Sequence, residues 1–448
     1  PSPRCLAPLY SGIVKILSTI LLLLAGAPFC TQAADMLKWD AERNRVDAAI
    51  ESWTVPQVLR RVAAITGWEV LMEPGVEDKV SAKFKDKTSG EALQRLLGKL
   101  NFALSPETNG ASRLYVFRTS RSDATQKLAP MIVSGSTNKG RIENELIVTL
   151  KPGEKIEDLA KRLGAKVVGK IDGANAYRLR FDDAESAQSA STELKDDPDV
   201  ASTDPNYAIG TPDIAMPLGG GGSPLNLTPK AVANGEYVIV GLIDTAVQGK
   251  EGGISDFLLP AISVVGDVNT SSTEMLHGTP MAQSILYSIS LSGLGSTTVR
   301  ILPVDVYGNN AMTSTFDVAN GVYKAVNAGA NIINLSLGSD GDSTFLRNTI
   351  NSAAQQGVQF FAAAGNQPTT AATYPAAYPS VTAVTATDRS GNIASYANRG
   401  SFIDVAAPGT AIVNFGGQSY IVTGTSTATA YVSGKAAAQA EAAKAAKK

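Results

Sequence analysis

Apolar positions change period several times along the chain. Val55-Pro-Gln-Val-Leu-Arg-Arg-Val-Ala-Ala-Ile65 repeats them at helical spacing and is closed by Gly67. Trp68–Met72 and Val80–Phe84 read as strands, Ser89 caps a helix with Leu93, Leu96 and Leu97 on one face, and Leu114–Phe117 closes a small sheet. These elements predict an α+β unit over 36–118. Thr119–Gly140, rich in Ser, Thr and Lys, reads as a linker over 119–140. A second unit over 141–209 places strands at Leu146–Leu150, Val167–Val168, Ala176–Phe181 and Val200–Tyr207, with helices at Ile156–Leu163 and Ala184–Leu194. That is the βαββαβ order of a ferredoxin-like unit. Residues 210–234 contain four consecutive glycines and read as a flexible linker.

From 235 to 448 the pattern becomes strand–helix alternation. Buried-looking strands lie near 236–243, 261–266, 299–305, 331–337, 358–364, 380–385 and 419–423. Helices lie near 277–289, 315–327, 344–356 and 426–446. The expected fold is α/β: a parallel sheet with helices on both faces, preceded by two small α+β units.

The length of 448 residues accommodates these units, and a net charge of −2 gives no electrostatic case for nucleic acid. Residues 1–34 join Lys15, an apolar run through Leu24 and small residues ending at Ala33-Ala34, the pattern of a secretory signal. Export follows, to the periplasm or cell envelope or into the medium. Both cysteines, Cys5 and Cys30, fall inside that leader, so the exported chain has no disulfide and no thiolate metal site. No metal or other cofactor is called for; Asp340 and Asp342 share a loop but fall short of an EF-hand, so calcium is not indicated.

Four residues carry candidate chemistry. Ser426 follows a β-branched run and a Gly turn at a helix start, where the dipole and free N–H groups favour developing negative charge. The chain's single histidine, His277, opens another helix. Asp244 and Asn366 each end a buried-looking strand. In an open parallel sheet such points share the carboxyl edge, where ligands bind. A nucleophile, a base, an orienting acid and an amide donor thus converge, in the chain order Asp, His, Ser.

The islands Val240-Gly-Leu-Ile-Asp-Thr245, His277-Gly-Thr279, Asn334-Leu-Ser-Leu-Gly338, Ala362-Ala-Ala-Gly-Asn366 and Gly424-Thr-Ser-Thr-Ala428 resemble, in order, those of the subtilisin-like serine peptidases. The resemblance covers roughly 233–440 and implies a serine endopeptidase with Asp244, His277 and Ser426 as triad and Asn366 as oxyanion donor. It also implies that Ser336, Leu337 and Gly338 pair with an extended substrate. Thr373 would floor the P1 pocket and favour small or medium residues there. Two positions depart from the family pattern, Ala246 and Ala430, where Gly and Pro are usual. A catalytically weak or inactive peptide-binding adaptor is the rival reading. The second unit resembles a subtilase propeptide, implying a self-processed zymogen. The first resembles the short N-terminal domain of secretins and TonB-dependent receptors, implying a cell-envelope partner. The remaining partners are protein or peptide substrates.

Overall fold

A computed structural model describes residues 36–40, 43–76, 78–105, 112–128, 140–212, 216–217, 225–232, 236–267, 270–293 and 295–446. The expected leader and the run of four glycines lie outside them.

In the first unit the helix Val55–Thr66 starts at a capping box between Thr54 and Gln57 and ends on left-handed Gly67. The second helix, Ser89–Leu97, is capped by Thr88 with Glu91, one residue earlier than the sequence suggested. Two sheets flank these helices. One orders Met36–Asp40, Arg45–Thr54 and Lys79–Lys87; the other Asn101–Ser105, Arg113–Phe117, Glu69–Met72 and Gln126–Leu128. The last strand corrects the expected linker: Gln126–Leu128 pairs with Val70–Met72, and Leu128 is buried in this unit's core. Three residues are too few to show a period, so the linker reading won on composition alone.

The second unit keeps the expected order, with helices Ile156–Leu163 and Ala184–Glu193. Its final strand, Val200–Gly210, runs past the expected end because residues 208–210 pair with Met312–Ser314 of the third unit. One five-stranded sheet therefore crosses both units. Asp204 sits at the start of helix Thr344–Gln355, accepting from Ser343 Oγ at 2.6 Å and Phe345 N at 3.1 Å. Asn206 does the same for helix Thr315–Asn327, accepting from Thr315 Oγ1 at 3.0 Å and Phe316 N at 3.1 Å. Helix N-termini carry free N–H groups and partial positive charge, so both contacts satisfy donors that would otherwise be orphaned. Arg178 reaches Asp317 at 2.7 Å beside them. Burial pushes the Asp204 and Asp317 carboxyls up, outweighing the partners that pull them down.

The third unit is built on a seven-stranded parallel sheet. Its order is Ile262–Ser263, Val299–Asp305, Val238–Asp244, Ile332–Leu335, Gln359–Ala363, Thr382–Thr387 and Val405–Pro408. The expected strand at 419–423 is not a member. Gln418–Thr423 pairs antiparallel with Thr410–Phe415, and Val405–Pro408 takes the sheet's edge. A β-branched run alone cannot say which sheet a strand joins. Inside the apolar run Val238–Ile243 of strand Val238–Asp244, side chains still alternate. Val238, Val240 and Leu242 join the cluster under helices Gly278–Ser290 and Thr425–Ala445, while Ile243 joins the one under Thr315–Asn327 and Thr344–Gln355. Helices therefore cover both faces, as expected. The chain leaves Val238–Asp244 toward one side and returns at Ile332–Leu335 on the other, so the switch point opens between these strands.

The expected linker at 210–234 is also partly built into this unit. Leu227 is buried in its core, Thr228–Pro229 pairs with Ser296–Thr297, and Arg300 donates to the Lys230 carbonyl at 3.0 Å.

Candidate active site

Asp244 ends its strand at the switch point, and its carboxylate faces the start of helix Gly278–Ser290. His277 heads that helix, and its Nδ1 lies 2.8 Å and 2.9 Å from the two Asp244 oxygens. A carboxylate oxygen only accepts, so Nδ1 carries a proton, and in the neutral ring the lone pair is on Nε2. This approach depends on Gly278. A Cβ there would lie 2.4 Å from the Thr245 carbonyl, so any other residue would push the helix start off the strand end. Thr245 Oγ1 accepts from Gly278 N at 2.8 Å and fixes the same junction. Ala246 is fully packed within it, so the departure from Gly is absorbed without displacing His277 from Asp244.

Ser426 is the second residue of helix Thr425–Ala445, whose N-cap is Gly424 rather than Ser426. The serine side chain is thus not spent on capping. The helix continues unbroken through Ala430. A Cβ on Gly434 would lie 2.4 Å from the Ile285 carbonyl, so glycine lets this helix press against the one headed by His277. Ser288 Oγ donates to the Tyr431 carbonyl at 2.6 Å across the same contact. Among the described residues no hydrogen bond joins Ser426 to His277. Ser426 Oγ instead donates to the Ser336 carbonyl at 3.2 Å.

Asn366 follows the Gln359–Ala363 strand on an exposed loop. Its Oδ1 accepts from Thr425 N at 2.8 Å and Thr425 Oγ1 at 3.0 Å. The carbonyl end is thereby committed, and Nδ2 lies over Gly424, 3.0 Å from where a Cβ would be. Thr425 was not singled out by sequence; its hydroxyl also accepts from Gly365 N at 3.1 Å, tying the Asn366 loop to the Ser426 helix.

Ser336, Leu337 and Gly338 extend from the end of strand Ile332–Leu335 without joining a ladder. Ser336 and Leu337 are buried and Gly338 is exposed. A Cβ at Gly338 would meet the Tyr374 carbonyl at 2.9 Å, which keeps this edge thin. Thr373 lies nearby, and its hydroxyl donates to the Ala364 carbonyl at 2.7 Å. Of the two loop acids, Asp342 pairs with Arg347 at 3.0 Å.

The arrangement has close relatives. A sequence model described as the Subtilase family matches residues 235–447. The thermophilic serine proteinase of Bacillus sp. (strain AK1) is 30% identical over 326 residues, 68% of this chain and 80% of that protein. The chain belongs to the subtilase family. Thermitase of Thermoactinomyces vulgaris is 33% identical over 210 residues, 46% of this subtilase and 75% of thermitase. A second sequence model, the fervidolysin N-terminal prodomain, matches residues 127–206. This subtilase is therefore a serine peptidase preceded by a prodomain. In fold it is similar to fervidolysin from Fervidobacterium pennivorans, a keratinolytic enzyme related to subtilisin. The TM-score is 0.52 at 18% identity, over 69% of this chain and 55% of that one. The epidermin leader peptide processing serine protease of Staphylococcus aureus gives 0.52 at 17% identity, over 66% and 88%.

Proposed function

We propose that this subtilase is an exported endopeptidase that hydrolyses peptide bonds through Asp244, His277 and Ser426, and that it is made as a self-processed zymogen. The observation that carries the reading is the seating of His277 Nδ1 on both Asp244 oxygens at 2.8 and 2.9 Å, with the helix of Ser426 packed on the helix of His277. Rotation of the Ser426 side chain off the Ser336 carbonyl turns its hydroxyl to Nε2. His277 takes the proton as Oγ attacks the carbonyl carbon, then returns it to the leaving amine, while Asp244 holds the tautomer and the charged ring. Asn366 Nδ2 and the Ser426 backbone N–H receive the oxyanion. The open backbone of Ser336, Leu337 and Gly338 accepts an extended peptide as an added strand. Thr373, its hydroxyl bonded to the Ala364 carbonyl, floors a shallow P1 pocket for small or medium residues.

Export rests on the leader-like 1–34 segment. Among the described residues no helix is long and apolar enough to cross a membrane. The first unit serves as a docking module for a cell-envelope partner; its strand Lys79–Lys87, at the end of the sheet order, presents Lys79, Lys83 and Lys85 to solvent.

The test is a fluorophosphonate label with a peptide substrate assay. Wild type should label at Ser426 and hydrolyse peptide, and Ser426→Ala should do neither. A folded wild type that neither labels nor cleaves would leave a peptide-binding protein instead. Removing residues 36–128 should leave peptide hydrolysis intact while abolishing retention at the envelope.

A further inference from the structure

The central strand of the parallel sheet carries a polar side chain at full burial. Asn334 lies in register between Leu242 and Phe361, and none of its surface reaches solvent. An amide in such a place is costly unless its atoms are bonded. They are, and in one continuous chain. Ser433 Oγ donates to Asn334 Oδ1 at 2.9 Å, and Asn334 Nδ2 donates to Ser336 Oγ at 2.9 Å. Ser336 Oγ then donates to the Ser426 carbonyl at 3.1 Å. The far end fixes every direction. A carbonyl can only accept, so Ser336 spends its single proton there and must receive from an N–H. That orients the Asn334 amide and leaves its oxygen for the Ser433 hydroxyl.

The packing around this chain shows why it matters. Helix Thr425–Ala445 meets the sheet through small side chains, Ala428, Ala430, Ala437 and Ala438. Apolar burial is non-directional, and a smooth alanine face does little to fix how far a helix slides along a sheet. The polar chain is directional and spans the gap at two points, Ser433 and Ser426. It also ends on the residue whose hydroxyl donates back to the Ser336 carbonyl.

We propose that Asn334 and Ser433 are positioning residues, which lock Ser336 in one rotamer and thereby fix Ser426 relative to the Ser336–Gly338 edge. The proposal rests on the reading of Ser426 as nucleophile. It is tested on the processed enzyme made from the full chain, with kcat expressed per fluorophosphonate-titrated site. Asn334→Leu should lower kcat about 10- to 100-fold, the scale set by small misplacements of reacting groups, with KM within about twofold. Ser433→Ala, which removes only the far hydroxyl and is the safer variant for folding, should lower it about 3- to 10-fold. In a Ser336→Ala background the chain is already cut, so Asn334→Leu should add less than about a further twofold. Full additivity with Ser336→Ala would overturn the proposal, as would wild-type kcat per site alongside a lowered Tm, which marks a purely structural role. A wild type that does not label sinks the nucleophile reading and this proposal together; a labelled wild type with an additive cycle sinks this one alone.

Discussion

Strand Val200–Gly210 holds the prodomain to the peptidase. Ile209 has no exposed surface and shares a buried cluster with Val306, Tyr307 and Leu337. The Gly210 carbonyl accepts from Tyr307 Oη at 3.0 Å, and Thr211 donates to the Ala311 carbonyl from both N at 3.0 Å and Oγ1 at 2.9 Å. Further on, Met216–Pro217 pairs antiparallel with Ile421 and Tyr420, on the strand that runs into the Ser426 helix. The chain is therefore held at Thr211 by one part of the peptidase, which sets the upstream limit of the bonds open to cutting, and again at Met216–Pro217 by another. Retention of residues 225–232 in the peptidase body sets the downstream limit. We expect self-cleavage to leave a new N-terminus after Thr211 and before Leu225, tighter than the whole 210–234 stretch that sequence offered.

Ile209→Ala is the informative perturbation. Truncating a fully buried isoleucine costs ~2–5 kcal/mol, and each ~1.4 kcal/mol is tenfold, so tail docking should weaken by roughly 30- to 4,000-fold. That range is an upper bound on the slowing of processing, because the Asp204 and Asn206 contacts still hold the prodomain in place. The assay follows the full chain by gel and N-terminal sequencing at several concentrations. Wild type should process at a concentration-independent rate, Ile209→Ala more slowly and at scattered bonds, and Ser426→Ala not at all. Wild-type rate and bond in Ile209→Ala would refute the anchoring argument. Processing of isolated Ser426→Ala would refute autoproteolysis altogether.

Asn366→Ala should fold normally yet lose about 10²–10³ in kcat on a peptide substrate, the usual cost of one oxyanion donor. Gly434→Ala inserts a Cβ against the Ile285 carbonyl, so it should cost ~1–3 kcal/mol of stability by thermal melt and lower kcat by parting the two active-site helices. Leu227→Ala should destabilise the processed enzyme by ~2–5 kcal/mol by thermal melt, because the segment stays with it; an unchanged Tm would refute the downstream limit of the cut. Burial raises the Asp204, Asp305 and Asp317 carboxyls, so each binds its proton more tightly folded than unfolded. Their contribution favours the folded zymogen at low pH and is lost as pH rises through the folded values; Asp204→Asn should flatten that part of a Tm-against-pH curve.

The parts of this molecule that sequence made legible are those governed by local rules. Helix ends were readable where a glycine stood, as at Gly67. The placement of Asp244, His277, Ser426 and Asn366 was readable because each sits where a strand stops or a helix starts, and parallel topology brings those ends to one edge. What stayed hidden depends on which element meets which. The apolar run at Tyr420–Thr423 looks the same whether it joins the parallel sheet or a hairpin. Leu227 and Leu128 stand in polar, glycine- or serine-rich surroundings, and nothing local marks them as core. Thr425 and Ser433 look like ordinary small helix residues until Asn366 and Asn334 are placed against them. Asn334 did leave a trace, since an amide inside Ile332-Ile-Asn-Leu335 breaks an otherwise apolar strand. Such a break in a strand buried on both faces asks for a partner from a covering helix, and here that helix is the one that carries Ser426. The same logic explains the glycines: Gly278 and Gly434 matter for what lies 2.4 Å from their missing side chains, which only the assembled fold reveals.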